Sequence, residues 1–516
     1  MFWCRDIKFR LALAFCAALS CAACTSLPPN IHREPSYALA NPENTALGQA
    51  FLSEVVAHAG RSGFVPIVAG ANAYRLRAAM AGLARHTLDL QYYIWEDDLT
   101  GRMMLHDVMQ AAERGVRVRL LLDDVHTEGE TVVFSRVDRH PMIEVRLFNP
   151  FARRDARLIG WLLEGARLNH RMHNKVMVAD NAIAITGGRN IGDHYFAVDE
   201  LSNFRDLDLL AIGPVVQDLS SMFDLYWNSG WSYPVSVIDP NTYTKADARQ
   251  LAKDLRSMLQ RREPPFALDG NAESMRARLL SYRDDFSWGR AYTIFDDPTK
   301  LEGDHVHRRG VAEVLFDTFD EVERELLIET AYFIPGERGV ERLGELVDRG
   351  VEVTVLTNSL ATNDVLAAHA GYMDYRKGLL EAGVELHELR PDAVAIDQHL
   401  TPLASGSKAA LHTKALVYDR RAVFVGSFNL DPRSLVINTE MGVLVESPEL
   451  ARKVAGIIRT GLLPENSYRL TLVDGEIRWR LATDTGMALL ASEPETSWWD
   501  RFLVNVISLL PINDQL

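Results

Sequence analysis

The feature that most constrains this chain of 516 residues is a short motif that occurs twice. Each copy has a histidine, a lysine two residues later and an aspartate five residues after the lysine. The members are His173, Lys175 and Asp180 in the first half and His412, Lys414 and Asp419 in the second. Because two complete, co-spaced copies rarely arise by chance, the duplication predicts two similar lobes that each contribute half of one site.

These six residues are the candidate catalytic set, but the aspartates differ from the other four. Side chains two positions apart in a strand point to the same side, so the histidine and lysine of each copy share a face. Asp180 and Asp419 follow the histidines by seven residues, at the opposite phase and beside a turn. We therefore expect the two aspartates to accept structural hydrogen bonds rather than to contact a substrate.

Further polar residues recur at matched positions after each motif. Asn190 and Asn429 end the runs GGRN and GSFN, and Asp206 and Glu440 are acids at an offset of 234. A carboxylate that accepts a hydrogen bond from one imidazole nitrogen fixes the tautomer and orientation of the ring. We expect Asp206 and Glu440 to orient the two motif histidines in this way.

Each half also shows a similar order of strand and helix patterns. Apolar runs typical of buried strands cover 88–95 and 115–122 in the first half and 326–333 and 350–357 in the second. Strands that alternate with helical patterns indicate an α/β fold. We expect two similar lobes, each a mostly parallel sheet flanked by helices, with the site at the pseudo-twofold interface between them.

These patterns divide the chain into six segments. The predicted segments are 1–24, an export signal; 25–75, an N-terminal extension; 76–238, the first lobe; 239–297, a helical insertion; 298–470, the second lobe; and 471–516, an amphipathic C-terminal segment. The insertion carries a charged helical pattern and no recognisable chemical motif. We expect it to connect the lobes, where it could also cover the site.

All four cysteines lie within the first 24 residues, so the body of the chain contains neither a disulfide nor a cysteine zinc site. The N-terminus has basic residues, a short apolar run over 11–19 and then small residues, an order typical of an export signal. Residues 21–26 resemble the cleavage site of bacterial lipoproteins, which predicts lipidation at Cys24, with Cys21 as a second candidate. A plain cleaved signal and an uncleaved anchor are the alternatives.

An acyl anchor would place the protein on a membrane surface. We therefore expect a membrane-associated protein on the exported side of a bacterial cell envelope. The formal charge of −15 argues against a protein that coats nucleic acid, whose surface would normally be basic.

The duplicated pattern HxKx4Dx6G[GS]xN resembles the phospholipase D superfamily. The runs MHNK at 172–175, GGRNIGD at 187–193, GSFNLDPRS at 426–434 and NTEMG at 438–442 are similar, more narrowly, to the C-type bacterial cardiolipin synthases. The resemblance extends from about residue 40 to the C-terminus. It implies an enzyme, either a phosphodiesterase or a phosphatidyltransferase.

The resemblance also implies a mechanism. His173 would attack the phosphorus to form a phosphohistidine, and His412 would protonate the leaving alkoxide and then activate the incoming hydroxyl. The two halves are nearly symmetric, so the choice of His173 as nucleophile follows the family alone. The residues implied to hold or support the phosphate are Lys175, Lys414, Asn190, Asn429 and Ser427. No metal and no cofactor are implied, because the lysines supply the positive charge.

Two segments favour a lipid substrate and contact with a membrane surface. Residues 153–171 interleave arginines with apolar residues, as in an interfacial helix whose cations meet anionic headgroups. Residues 498–510 place Trp498, Trp499 and further apolar residues at helical spacing, and tryptophans favour membrane interfaces. Helices that pack on their own lobe show the same patterns, so that alternative stays open.

We therefore expect a phosphatidyltransferase that makes cardiolipin from phosphatidylglycerol and a second phospholipid, such as phosphatidylethanolamine. A phospholipase D that hydrolyses phospholipids to phosphatidic acid is the alternative, because water would only replace the acceptor hydroxyl. A metal-independent nuclease is disfavoured by the acidic chain and by the presence of both motifs in it. A non-catalytic lipid-binding protein is disfavoured because both motifs are intact. No obligate protein partner is inferred.

Overall fold

The computed structural model describes residues 27–509, apart from 31–32, 128, 153, 155–156, 240, 268, 303–308, 395–398 and 484–485. The predicted export signal and its lipidation site Cys24 lie outside the described residues. The described chain forms two α/β lobes, which confirms the predicted fold class.

The first lobe is built on a sheet with helices packed against it. Its strands are β1 (Ser62–Ile67), β2 (Thr87–Tyr92), β3 (Arg117–Asp123), β4 (Ile143–Phe148), β5 (Val176–Ala179), β6 (Ile183–Gly187), β7 (Ser202–Arg205), β8 (Asp208–Ile212) and β9 (Ser232–Pro234). Its helices are α1 (Ala46–Ala50), α2 (Leu52–Ala57), α3 (Gly70–Leu83), α4 (Leu99–Glu113), α5 (Thr131–Val137), α6 (Arg157–Asn169), α7 (Pro214–Trp227) and α8 (Val235–Ile238). The strand order in the sheet is β1-β8-β6-β5-β2-β3-β4-β9.

The second lobe repeats this plan after two insertion helices, α9 (Lys245–Gln260) and α10 (Ala272–Ser281). Its strands are β10 (Ser287–Phe295), β11 (Glu325–Thr330), β12 (Glu352–Asn358), β13 (Glu385–Leu389), β14 (Lys408–Leu411), β15 (Lys414–Tyr418), β16 (Ala422–Gly426), β17 (Met441–Glu446), β18 (Ser467–Val473), β19 (Glu476–Thr483) and β20 (Gly486–Leu490). Its helices are α11 (Val311–Asp320), α12 (Gly336–Asp348), α13 (Leu366–Met373), α14 (Arg376–Glu381), α15 (Pro448–Gly461) and α16 (Trp498–Ser508). The strand order is β10-β17-β16-β15-β11-β12-β13-β18-β19-β20.

The two lobes are joined by backbone pairing at two places. The edge strands β1 and β10 pair antiparallel, with Ser62 opposite Gly289. Strand β7 of the first lobe pairs in parallel with β14 of the second, with Ser202 opposite Lys408. Because two separate strand pairs cross the boundary, the backbones of the two lobes are hydrogen-bonded to each other at two places.

The apolar core also crosses the lobe boundary. Along β15, Ala415 and Val417 enter a core shared with the first lobe, whereas the alternating Leu416 and Tyr418 enter a core of the second lobe alone. A strand buried on both faces is apolar at successive positions, which explains the run of apolar residues after the motif lysine.

The sheets are mixed, so the prediction of mostly parallel sheets holds only for three strands in each lobe. The triplets β2-β3-β4 and β11-β12-β13 are parallel, and their flanking neighbours pair antiparallel. The reason lies in the motif itself, since β5 and β6 are joined by Asp180 and Asn181, both with φ of 50°. Two successive residues with positive φ form a tight hairpin turn, and a hairpin is necessarily antiparallel. Asp419 and Arg420 form the equivalent turn.

Two predicted segments differ from expectation. The insertion packs on helices of the first lobe, where Arg75 of α3 donates to the Ala267 carbonyl at 2.7 Å and Arg136 of α5 donates to the Asp247 carbonyl at 3.3 Å. These contacts are not with the motif histidines. The C-terminal segment is more than an amphipathic helix, because β18, β19 and β20 extend the second sheet before α16 begins.

The motif aspartates anchor the start of a neighbouring strand. The Asp180 carboxylate is fully buried and accepts from the backbone N–H groups of Arg85, His86 and Thr87, at 2.8–3.2 Å. Asp419 accepts in the same way from residues 323–325. Each aspartate therefore fastens its hairpin to the strand that enters the centre of the sheet.

Replacing Asp180 with alanine is expected to destabilise the protein, because the backbone N–H groups of Arg85, His86 and Thr87 would lose their acceptor. We expect the free energy of unfolding to fall by about 2–4 kcal/mol, measured by urea denaturation. The matched variant Asp419→Ala removes a partly exposed carboxylate and should cost less. An Asp180→Ala protein of unchanged stability but without activity would instead place this aspartate in the chemistry.

Candidate active site

Both motifs reach the lobe boundary on segments that are bonded to the opposite lobe. The backbone N–H of His173 donates to the Thr439 carbonyl at 2.8 Å, and the N–H of Thr439 donates to the Arg171 carbonyl at 2.9 Å. In the second lobe, the N–H of His412 donates to the Arg205 carbonyl at 2.8 Å. Each histidine is therefore held in place by the lobe that does not contain it.

The two matched acids are exchanged between the lobes. Glu440 of the second lobe accepts from Nδ1 of His173 at 2.9 Å, and Asp206 of the first lobe accepts from Nδ1 of His412 at 2.8 Å. Both acids come directly after the residues whose carbonyls bind the histidine backbone. The sequence predicted these acids as partners of imidazoles, but it did not reveal that the pairs cross the interface.

The hydrogen bonds determine which nitrogen of His173 carries the proton. Its Nδ1 faces two acceptors, the Glu440 carboxylate and the Ser427 carbonyl at 3.1 Å, so Nδ1 is assigned as the donor. Nε2 is then left with a free lone pair. Ser427 lies behind this pair, since its hydroxyl donates to Glu440.

The two motif lysines are buried and lie beside the histidines. The ammonium of Lys175 donates to the His173 carbonyl and that of Lys414 to the His412 carbonyl, both at 2.5 Å. Burial lowers the pKa of Lys175 well below its usual range and lowers the pKa of Lys414 to about 8. These desolvated cations form a pocket in which an anion would be strongly stabilised.

Burial and the neighbouring lysines also act on the imidazoles. Desolvation lowers the pKa of both His173 and His412 well below the ordinary value, and Lys175 and Lys414 push the pKa of each further down. Both effects favour the neutral form of each ring at neutral pH. A neutral imidazole with a free Nε2 lone pair has the electronic state that a nucleophile or a general base needs.

The two asparagines predicted to hold phosphate have different surroundings. Asn190 is engaged on both sides, because its Oδ1 accepts from the Ile94 N–H at 3.1 Å and its Nδ2 donates to the Tyr195 hydroxyl at 2.9 Å. The Oδ1 of Asn429 is buried and has no hydrogen-bond partner among the described residues. Since the two ends of an amide are assigned from such partners, the Asn429 side chain is the one with capacity for a ligand.

Aromatic residues that sequence reasoning missed line the same site. The Lys175 ammonium lies 5.3 Å from the centre of the Tyr93 ring, and that of Lys414 lies 5.9 Å from the Tyr332 ring. Tyr93 also contacts His173 edge-on, with ring centres 4.9 Å apart. Tyr93 and Tyr332 occupy matched positions at the motif offset of 239, and this match was the available sequence signal.

The structure thus brings together most of the predicted site residues and leaves two apart. His173, His412, both lysines, Asp206, Glu440, Asn429 and Ser427 converge at the interface, whereas Asp180 and Asp419 lie at hairpin turns. In the described part of the chain, no cluster of His, Cys, Asp and Glu side chains is arranged to hold a metal ion.

Comparison with known proteins agrees with this geometry. The family model described as the PLD-like domain of cardiolipin synthase matches residues 78–227 and 315–460, one match in each lobe. The chain belongs to this family. It is a phosphatidyltransferase-type enzyme of the phospholipase D superfamily, as the motif pattern predicted.

Individual relatives extend the likeness over most of the chain. Cardiolipin synthase C of Escherichia coli strain K12 is 39% identical over 480 residues, which cover 90% of this chain and 98% of the relative. The major cardiolipin synthase of Bacillus subtilis strain 168 is 22% identical over 75% of this chain and 66% of its own length. The crystal structure of phosphatidylserine synthase from Haemophilus influenzae Rd KW20 has the same fold, with a TM-score of 0.54 at 13% identity, over 91% of this chain and all of that one.

The pKa of Lys414 predicts a pH limit for activity. The ammonium is charged below about pH 8 and loses its charge as the pH rises through that value. We expect kcat/KM to fall on the alkaline side with an apparent pKa near 8, because the neutral amine no longer stabilises the phosphate. Lys175 is also buried and its pKa is lowered too, so the test compares the position of the decline and not its presence. In Lys414→Arg, whose guanidinium stays charged, the apparent pKa of the decline should move away from 8. An unchanged apparent pKa would show that Lys414 is not the group that titrates.

Proposed function

We propose that this protein is a phosphatidyltransferase that makes cardiolipin from phosphatidylglycerol and a second phospholipid. The observation that carries the proposal is the interface pocket, where two neutral imidazoles with free Nε2 atoms lie between two buried lysines. The relatives named as cardiolipin synthases support the same activity. Phosphatidylethanolamine is the proposed alternative phospholipid substrate.

In the first proposed step, Nε2 of His173 attacks the phosphorus of the donor lipid. A P–N bond forms, the P–O bond to the leaving headgroup breaks, and protonated His412 gives its proton to the departing oxygen. The bound phosphate supplies the negative charge that raises the pKa of His412 and allows it to hold this proton. Glu440 balances the positive charge that develops on the phosphorylated imidazole.

In the second proposed step, the hydroxyl of the acceptor lipid replaces His173. His412, now neutral, takes the hydroxyl proton, while the oxygen attacks the phosphorus and the P–N bond breaks. Lys175 and Lys414 neutralise the equatorial phosphate oxygens in both steps, and the side-chain amide of Asn429 donates a hydrogen bond to them through Nδ2. Water in place of the acceptor would give phosphatidic acid through the same intermediate.

We also propose that the enzyme works at a membrane surface, though not through the arginines that the sequence suggested. Arg154 pairs with Asp124 at 2.7 Å and Arg171 pairs with Asp123 at 3.1 Å, so these cations are engaged within the first lobe. Arg153 lies outside the described residues. The arginine prediction is therefore corrected: the groups that α6 presents to solvent are apolar, with Leu158 and Leu162 more than three-quarters exposed.

The C-terminal helix α16 presents a second apolar face to solvent. Trp498 and Trp499 are about three-fifths exposed, while Val504 of the same helix is buried against Leu360 and Ala370. Each helix of the described chain is too short or too polar to span a membrane. Contact through exposed apolar faces, with an acyl group at Cys24 as the proposed anchor, is the mode that these features favour.

The lipid products test the proposed activity. With vesicles of phosphatidylglycerol and phosphatidylethanolamine, lipid mass spectrometry should detect cardiolipin with the wild-type protein and none with His173→Ala or His412→Ala. A chelator should leave the wild-type activity intact. Phosphatidic acid as the sole product would identify a hydrolase, and activity that disappears with the chelator would overturn the metal-free mechanism.

Vesicle binding tests the proposed membrane contact. The double variant Trp498→Ala and Trp499→Ala should sediment with anionic vesicles at least about three-fold less than wild type, because two interfacial anchors are lost. The control variant Tyr292→Ala removes a half-exposed aromatic residue from β10, outside the proposed face. Equal binding of all three proteins would contradict the assignment.

A further inference from the structure

A groove of about 750 Å³ opens in the second lobe between α11, α12 and the loop that carries Asn429. Its walls are largely apolar and include Phe316 and Phe319 of α11, Phe333 after β11, Leu343 of α12 and Leu435. The volume falls within the range of about 300–1,000 Å³ that is common for ligand pockets.

The groove is continuous with the active-site loop. Phe428, Leu430 and Asp431 line the groove and flank Asn429 in the sequence. The loop is pinned by the N–H of Ile334, which donates to the Leu430 carbonyl at 2.7 Å. Asp431 is also near enough to Lys414 to raise its pKa. The same loop therefore carries the active-site residue Asn429 and forms one wall of the groove.

In the first lobe, the matching helices α3 and α4 are joined directly where they meet. There, the Tyr74 hydroxyl of α3 donates to Asp107 of α4 at 2.9 Å, and the Tyr74 ring contacts Phe196 with ring centres 5.5 Å apart. The motif offset of 239 aligns Phe196 with Leu435. Phe196 is fully buried, whereas Leu435 is 41% exposed. The duplicated fold is therefore closed by aromatic packing in one lobe and open in the other.

Apart from Asp431, which lies beside the active-site loop, the charged residues that line the groove belong to α12 and form its outer rim. The Arg342 guanidinium donates to Asp320 at 2.7 Å and to the Phe316 carbonyl at 3.0 Å, so it is engaged in bridging α12 to α11. Glu337 and Arg338 are exposed at the start of α12. The walls between this rim and the active-site loop are apolar, which suits a hydrocarbon chain and disfavours a polar ligand.

We propose that this groove binds one acyl chain of the phospholipid whose phosphate is held by Lys175 and Lys414. The proposal rests on the proposed function, because it needs a lipid in the active site. Its occupant extends from the phosphate along the loop 428–435 and lies between α11 and α12. Binding energy from the acyl chain would position the phosphorus for attack, so the groove acts on kcat/KM for lipids.

Two variants with matched side chains test the groove. Leu435→Glu places a carboxylate on the groove wall, and Leu463→Glu places one at a leucine of similar exposure, 44%, that does not line the groove. The measured quantity is kcat/KM for dioleoyl phosphatidylglycerol in mixed micelles, divided by kcat/KM for bis(p-nitrophenyl) phosphate, which has no acyl chain. Leu435→Glu should lower this ratio by about ten-fold or more, whereas Leu463→Glu should change it by less than about two-fold. An unchanged ratio for Leu435→Glu would overturn the proposal.

Photolabelling of the wild-type protein tests acyl-chain binding in the groove independently of any activity measurement. Phosphatidylglycerol with a diazirine near the end of one acyl chain should label peptides from 311–348 and 428–435. Labelling confined to other peptides would contradict the proposal that the groove binds an acyl chain. Labelling of these peptides without cardiolipin formation would instead reject the proposed activity and leave the acyl site in place, so the two failures are distinguishable.

Discussion

Two imidazole–carboxylate hydrogen bonds that cross from one lobe to the other are the interactions on which the rest of this structure depends. His173 with Glu440 and His412 with Asp206 each combine a ring from one lobe with a buried acid from the other. Because each pair needs one residue from each lobe, the oriented imidazoles exist only while the two lobes are in contact. Backbone bonds to Thr439 and Arg205, the β1–β10 and β7–β14 pairs and the shared apolar core hold the same boundary closed. The contacts that join the two lobes therefore also position the active-site histidines.

The duplicated halves are alike in sequence but unequal in their surroundings. Asn190 is bonded on both sides while Asn429 has a free amide oxygen. The position that Phe196 fills in the first lobe is taken in the second by Leu435, beside an open groove. A transferase that joins two lipids must treat donor and acceptor differently, and these inequalities supply a physical basis for that difference within a nearly symmetric pocket.

Much of the site was predictable because its chemistry is local in the sequence. The spacing of His173 and Lys175 on one face, and of the aspartate at the opposite phase, follows from the period of a strand. The exchange of Asp206 and Glu440 between the lobes was not predictable. The sequence alone does not show which of the two acids lies beside which histidine. The antiparallel hairpins were missed because positive φ at Asp180 and Asn181 is not evident from residue type alone.

The arginines of 153–171 were misjudged for a related reason. An amphipathic pattern shows that a helix has two faces, but it does not reveal what lies opposite the charged one. Asp123 ends β3 and Asp124 follows it. They pair with Arg171 and Arg154, which leaves the apolar side of α6 toward solvent. Whether the charged face of a helix is paired within the protein depends on residues from other parts of the chain.

The most direct test of the central claim is to locate the covalent intermediate. Wild-type protein mixed with phosphatidylglycerol can be quenched during turnover in cold denaturant near neutral pH, which avoids both acid cleavage of the P–N bond and alkaline cleavage of the acyl esters, and its peptides can be sequenced by mass spectrometry. The account predicts a phosphatidyl group on His173, with Nε2 as the modified atom and loss of the adduct in His173→Ala. An adduct on any other residue, or steady turnover without an adduct, would contradict it.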